Sequence, residues 1–153
     1  MKAWRVILLA GLVAGGIDLI YVLPFCALRG IAPTRVLQFI ASGLLGRDSF
    51  NGGMTTAALG FVLEFVISTG MAAVYFLASR KLPILLRHAV VCGILYGAAA
   101  YAFMHLVVLP LSAAPISKPA PIAMATDFLV HLFGIGMPIA LVTRHFTKRS
   151  GLT

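Results

Sequence analysis

Residues Thr126 to Pro138, TDFLVHLFGIGMP, set a carboxylate at Asp127 and an imidazole at His131 inside an otherwise apolar run. Four residues apart on a helix, the two side chains stand one above the other on a single face. An acid and an imidazole in that relation can share a proton, hold each other by hydrogen bonds or bind a cation. Three further ionisable residues interrupt apolar runs in the same way: Asp18, Glu64 and His105. A charged side chain at the centre of a bilayer costs about 2.5 to 3.5 kcal/mol even on the mildest insertion scale. These five residues are therefore expected to turn away from hydrocarbon and towards one another.

The elements that must position them follow from composition. Of 153 residues, 61% are hydrophobic and 10% charged, whereas soluble domains carry about 25% charged residues. Mean hydropathy is +1.04. Such a chain cannot cover itself with polar surface, and it reads as one integral membrane domain over residues 1–153. Four apolar runs reach the ~20 residues that a spanning helix needs: 6–28, 54–78, 89–111 and 122–143. They are expected to be helical, because hydrocarbon offers the backbone no hydrogen bonds and the period-two alternation of a membrane barrel is absent. The first run resembles a secretory signal, with Lys2 and Arg5 ahead of it, but it is too long for a signal core and Asp18 breaks it.

Between the first two runs lies GIAPTRVLQFIASGLLGRDSFNGG. Pro33 can open a helix and Gly46 can close it, with Val36, Leu37, Phe39, Ile40, Leu44 and Leu45 set against Arg35, Gln38, Ser42 and Arg47. A helix over 33–46 is too short to span. It is expected to lie in the outer interface as an amphipathic cap, in preference to a re-entrant element, which would need a protein-lined cavity. The fold class is thus all-α, a bundle of four transmembrane helices with a short amphipathic interfacial helix between spans one and two.

Orientation follows from the basic residues, 12 Lys+Arg against 4 Asp+Glu. With the N-terminus inside, eight of them fall on the inner side (Lys2, Arg5, Arg80, Lys81, Arg87, Arg144, Lys148, Arg149). Four fall outside (Arg29, Arg35, Arg47, Lys118). That bias places both termini in the cytoplasm of a bacterial inner membrane. The same scatter along membrane edges argues against nucleic-acid binding. Cys26 and Cys92 come out on opposite sides, so they cannot pair within a chain. Gly11 with Gly15, and Gly93 with Gly97, have the small-xxx-small spacing that lets helices pack closely in lipid.

At ~1.5 Å per residue from the outer boundary, Asp18 and Glu64 lie roughly 15 Å deep, His131 roughly 13 Å, His105 roughly 9 Å and Asp127 roughly 7 Å. All five belong to the outer half. His131 is expected to approach Glu64 or Asp18, with His105 nearer Asp127 and the outer mouth. On span four, Asp127, His131, Gly134 and Pro138 should face inward, with Phe128, Leu132 and Phe133 turned to lipid or apolar neighbours. Three readings compete. Polar contacts that fix helix packing lead. A proton or cation pathway is the alternative, since intramembrane carboxylates and histidines are common relay groups. A divalent metal on His105, His131 and Glu64 has residue types behind it but no HExxH, CxxC or ExxH spacing. Enzyme chemistry has no footing, with neither a nucleophile constellation nor a phosphate-binding glycine loop, and no cofactor is called for.

These stretches also carry a resemblance. AGGIDLIY, PTRVLQFIASGLLGRDSFNGG, YFLASRKLP, YGAAAYAFMHLVVLPLSA and HLFGIGMPIALVTR together resemble a family of small uncharacterised four-helix bacterial inner-membrane proteins, over nearly the whole chain. The resemblance implies a membrane protein and transfers no catalytic residues. Its pattern often has His where this chain has Glu64, which fits a polar or proton-binding position better than a strict metal ligand. The function expected from the sequence is a small accessory or structural inner-membrane protein, in contact with membrane lipids and with a membrane-protein partner or a second copy. A proton-coupled or cation transporter is the alternative. Tags placed at either terminus should resist external protease in intact cells. Cleavage of an external C-terminal tag would overturn this topology.

Overall fold

The computed structural model describes the backbone of residues 2–115 and 119–150, and side chains as far as Thr147. Lys118, counted above on the outer side, lies outside the described residues, as do the side chains of Lys148 and Arg149. The structure is all-helical, with 89% helix and no strand among the described residues. Four helices are long and apolar enough to cross a membrane: α1 (Ala3–Ala27), α3 (Gly53–Lys81), α5 (Ala89–Leu111) and α6 (Pro121–Thr147). Two shorter helices join them, α2 (Pro33–Leu45) and α4 (Ile84–Arg87). These long helices leave Ile20, Val66, Val74, Leu95 and Leu106 exposed along their flanks, surface that a multi-pass membrane protein presents to lipid.

In lipid the hydrophobic effect does not drive helices together, so close packing must. The buried core accordingly uses small residues: Ala10 and Ala14 of α1, Ala72 of α3, Ala89 of α5 and Ala140 of α6, filled in by Tyr75, Ile135 and Ile139. The spaced glycines stand at the crossings. A Cβ on Gly11 or Gly15 would run into Thr69 or Ser68 of α3, and one on Gly93 or Gly97 into the backbone of α6. Gly136 meets Gly93 and Gly97 from the other side, so α5 and α6 touch backbone to backbone. Two tyrosines add directed bonds: Tyr75 donates to the Leu85 carbonyl at 2.9 Å, and Tyr96 to the Met71 carbonyl at 2.8 Å.

Neither α5 nor α6 is α-helical throughout. Each contains a wider π-helical stretch, Met104–Val108 in α5 and His131–Gly136 in α6. Each stretch ends two residues before a proline, Pro110 or Pro138. A proline in a helix has no N–H for the carbonyl four residues back, and its ring crowds that carbonyl. An inserted residue in the preceding turn relieves the crowding, and such turns recur at functional sites.

The extra residue also changes which side chains face inward. His131, Leu132, Gly134, Ile135 and Gly136 are all buried, while Phe133 is half exposed. The straight stripe expected through Asp127, His131, Gly134 and Pro138 is thus corrected at two places. Leu132 turns inward, and the buried face continues through Ile139 and Ala140 while Pro138 stays partly exposed.

Helix α2 is held firmly. Gly46, at φ 63°, ends it in a conformation that glycine adopts without strain, and 3-10 turns over Gly46–Asn51 lead into α3. The Leu37 carbonyl lies against Gly60, roughly 10 Å along α3 from its start. Buried Gln38 donates to the Gly53 carbonyl at 3.0 Å, and the Ala113 amide donates to the Gly43 carbonyl at 3.0 Å, tying α2 to the end of α5.

Gly97→Ala and Gly136→Ala should each destabilise the fold by about 1 to 3 kcal/mol, the usual penalty for forcing atoms into a packed contact. Together they should fall short of additivity, because they act on one crossing. Gly70→Ala, where an added Cβ meets nothing within 4 Å in the middle of α3, should instead stabilise the fold by about 0.5 to 1 kcal/mol through helix propensity. Denaturant titration in detergent micelles measures all three.

Candidate functional site

Asp127 sits where α6 passes the end of α5, and both of its carboxylate oxygens are engaged. Oδ1 lies 3.2 Å from His131 Nδ1, one turn along the same helix. Oδ2 lies 3.4 Å from His105 Nε2, on α5. Both histidines occupy π-helical stretches. The widened turns bring imidazoles from two helices to one carboxylate.

The backbone contacts settle where the protons are. His105 Nδ1 is 3.1 Å from the Tyr101 carbonyl. A carbonyl only accepts, so Nδ1 carries hydrogen, and in a neutral ring Nε2 is left as an acceptor. His105 Nε2 thus faces Asp127 Oδ2 at 3.4 Å, an approach of imidazole and carboxylate between two helices. His131 Nδ1 is 3.0 Å from the Asp127 carbonyl as well as near Oδ1, so it too is an N–H donor, and its Nε2 remains free.

Aromatic rings hold this arrangement. Tyr101 stacks on His105, with centroids 4.1 Å apart and planes inclined by 30°. It also meets His131 edge-on at 5.3 Å and Phe128 edge-on at 5.1 Å. Sequence reasoning offered Tyr101 as a hydrogen-bond donor to Asp18 or Glu64 rather than as a ring packed on the histidines, and left Phe128 out of the site. The available signal was spacing, since Tyr101 precedes His105 by one turn just as Asp127 precedes His131.

Asp18 on α1 and Glu64 on α3 stand apart from the trio. They lie within the electrostatic reach of His131 and of each other. Among the described residues, however, the ion pairs on this cluster are the two to Asp127. His131 therefore makes no direct ion pair with Asp18 or Glu64, whose charges reach it over a longer distance, while its Nδ1 is turned to Asp127 on its own helix. The metal reading on His105, His131 and Glu64 finds no support in the arrangement either. Among the described residues no group of three or more His, Cys, Asp or Glu is placed to hold an ion.

A cavity of about 760 Å³ opens beside the trio, and His105 and Asp127 form part of its wall. Tyr21, Phe25 and Cys26 of α1 face them, with Phe39 of α2 and Pro110 of α5 completing the sides. The Tyr21 and Phe25 rings are near parallel, with centroids 5.2 Å apart and planes inclined by 26°. The Tyr21 hydroxyl is buried without a hydrogen-bond partner among the described residues. The Thr126 hydroxyl donates to the Ile122 and Ala123 carbonyls, at 2.8 and 3.2 Å, and its oxygen keeps lone pairs with which to accept from the neighbouring Tyr21 hydroxyl.

Comparison with known proteins finds no matching family model, no matching curated protein and no matching solved structure. The site is therefore read from its own geometry.

A double-mutant cycle between His131 and Asp127 should return a coupling between about 0.6 and 1.7 kcal/mol, the average and upper range for polar contacts inside membrane proteins. The His105–Asp127 cycle should return less, because that contact is longer and both side chains are about a third exposed. Equal stability losses in single and double variants would show that the trio acts as one unit rather than as two pairs.

Proposed function

We propose that this chain is a small inner-membrane protein with both termini in the cytoplasm. It is a bundle of four transmembrane helices capped on the outer face by the interfacial helix α2, and it binds a small lipophilic molecule in the cavity beside Asp127. The observation that carries the binding reading is the cavity itself. About 760 Å³ of mostly apolar space reaches two polar side chains, His105 and Asp127, at one point of its wall. That is the composition of a ligand pocket, in which apolar walls supply affinity and a few polar groups fix orientation. A purely structural role for the trio is served by the helix contacts alone and leaves the pocket without a use. In this reading the accessory role inferred from sequence becomes that of a lipophile-binding protein, with His105 and Asp127 as the polar anchor and His131 holding Asp127 from behind.

A second reading has one observation in its favour. Asp18 and Glu64 continue the ionisable groups from His131 across α1 and α3, as a proton pathway would require. Against it, the four acidic residues of the chain are Asp18, Asp48, Glu64 and Asp127, and none belongs to the inner half of a span. A relay would have to continue towards the cytoplasm on hydroxyl groups.

Protein purified in mild detergent should carry a lipophilic molecule detectable by native mass spectrometry. Ala123→Trp, which places an indole on the cavity wall, should expel it. In liposomes loaded with a pH-sensitive dye, the protein should add no flux over protein-free vesicles. Protein-dependent flux that Asp127→Asn abolishes would favour the relay instead.

A further inference from the structure

We propose that the end of the bundle opposite the cavity is a binding surface for anionic phospholipid, with Arg5, Arg80, Lys81 and Arg87 holding the headgroup phosphates. The inference is independent of what occupies the cavity. Charge, backbone geometry and the apolar side chains between the cations carry it together.

At this end α1 and α5 begin, α3 and α6 finish, and α4 joins α3 to α5. Arg5, Arg80, Lys81 and Arg87 are all exposed there. The chain sets no acidic side chain against them, because its four acidic residues, Asp18, Asp48, Glu64 and Asp127, all stand elsewhere. Asp48 is in the turns that lead from α2 into α3, and Asp127 is on the cavity wall. Asp18 is roughly 20 Å along α1 from Arg5, and Glu64 roughly 25 Å along α3 from Lys81. Exposed charges separated by more than about 8 Å are largely screened at physiological salt. The cations at this end therefore repel one another and attract anions from outside the protein.

The cations are presented from a hydrogen-bonded turn. The amides of Leu85, Leu86, Arg87 and His88 donate to carbonyls of Leu82, Pro83 and Ile84, and the Leu85 carbonyl accepts from Tyr75 at 2.9 Å. Leu86 is buried, and Leu85 packs on the core cluster together with Ile7 of α1 and Val142 of α6. With those two leucines turned in, Leu82 and Ile84 are turned out, 54% and 57% exposed. They lie in the chain between Arg80–Lys81 and Arg87. Trp4 is exposed in the same way beside Arg5, whose guanidinium stands 5.2 Å from the centre of its ring.

Cations interleaved with outward apolar side chains select the kind of anion. At a bilayer surface the apolar groups enter the acyl region while the cations reach the phosphates. A soluble polyanion would engage the cations alone and leave Trp4, Leu82 and Ile84 in water. A phosphate attached to acyl chains satisfies both sets, and basic clusters at the ends of spanning helices are suited to anionic headgroups.

Trp4 is the one tryptophan of the chain and provides the readout. Full-length protein is reconstituted in mixtures of phosphatidylglycerol and phosphatidylcholine, with bromine on the acyl chains of one lipid or the other to quench indole fluorescence. Quenching beyond the mole fraction of the brominated lipid measures its relative affinity for the surface around Trp4. Phosphatidylglycerol should be favoured at least threefold at about 0.1 M salt, and the preference should fall towards one at about 1 M. Arg5→Gln, Arg80→Gln, Lys81→Gln and Arg87→Gln together should bring it within about 1.5-fold of one. Arg29→Gln with Arg35→Gln, at the cavity end, should leave it unchanged. The salt series tests the claim on the unaltered protein, whatever the substitutions do to insertion.

Equal quenching by the two lipids, a preference indifferent to salt, or one that survives the four substitutions would overturn the proposal. Release of the quenching by a soluble polyphosphate at equal phosphate concentration would assign the surface to a soluble polyanion and overturn it as well.

Discussion

Asp127 serves two histidines because α5 and α6 touch backbone to backbone. Helices that meet through larger side chains stand about 8 to 10 Å apart between axes. Here Gly93 and Gly97 of α5 face Gly136 and the His131 carbonyl of α6 with no side chain between. The end of α5 is thereby carried past the start of α6 at a separation that an imidazole can bridge. The crossing supplies the proximity, and the trio uses it. The aromatic contacts of Tyr101 with both imidazoles depend on the same approach.

The prolines act at a second level. Pro110 and Pro138 each follow a π-helical stretch, and each stretch contains one of the histidines. A strained turn is tolerated inside a membrane protein only where neighbouring groups satisfy the freed backbone. The turn in α6 is buried through most of its length, whereas the turn in α5 has Leu106 on the outer flank and brings His105 to the polar trio. The displaced register is what buries Leu132 beside His131 and keeps both on the interior face. Local backbone chemistry and site geometry are linked here through one residue type.

Helix α2 gives the cavity one of its sides. Its contacts are backbone-directed: Gln38 to Gly53, Gly43 to Ala113, and the Leu37 carbonyl against Gly60. Phe39 is thus presented to the cavity from a rigid support. An amphipathic helix held only by its apolar face would leave that wall free to shift. The position of α2 couples the linker between the first two long helices to the site more than forty residues further along the chain.

Much of this was legible in the residues themselves. Hydropathy sets four long helices because apolar runs of this length must satisfy their backbone internally, and Pro33 and Gly46 bracket α2 because each restricts or frees one backbone angle. The Asp127–His131 pair is a local consequence of helical spacing. The π turns had a visible cause in Pro110 and Pro138, although straight helical periodicity was carried through them and misplaced Leu132. What tertiary structure alone decided is which groups from different helices meet. His105 of α5 reaches the Asp127 carboxylate, Tyr101 packs against both imidazoles, and Tyr21 joins the wall of the cavity. Depth along a helix narrows the candidates, but rotation about the helix axis and the distance of approach select among them. Those two quantities depend on how glycines on different helices fit together, which spacing within one helix cannot specify.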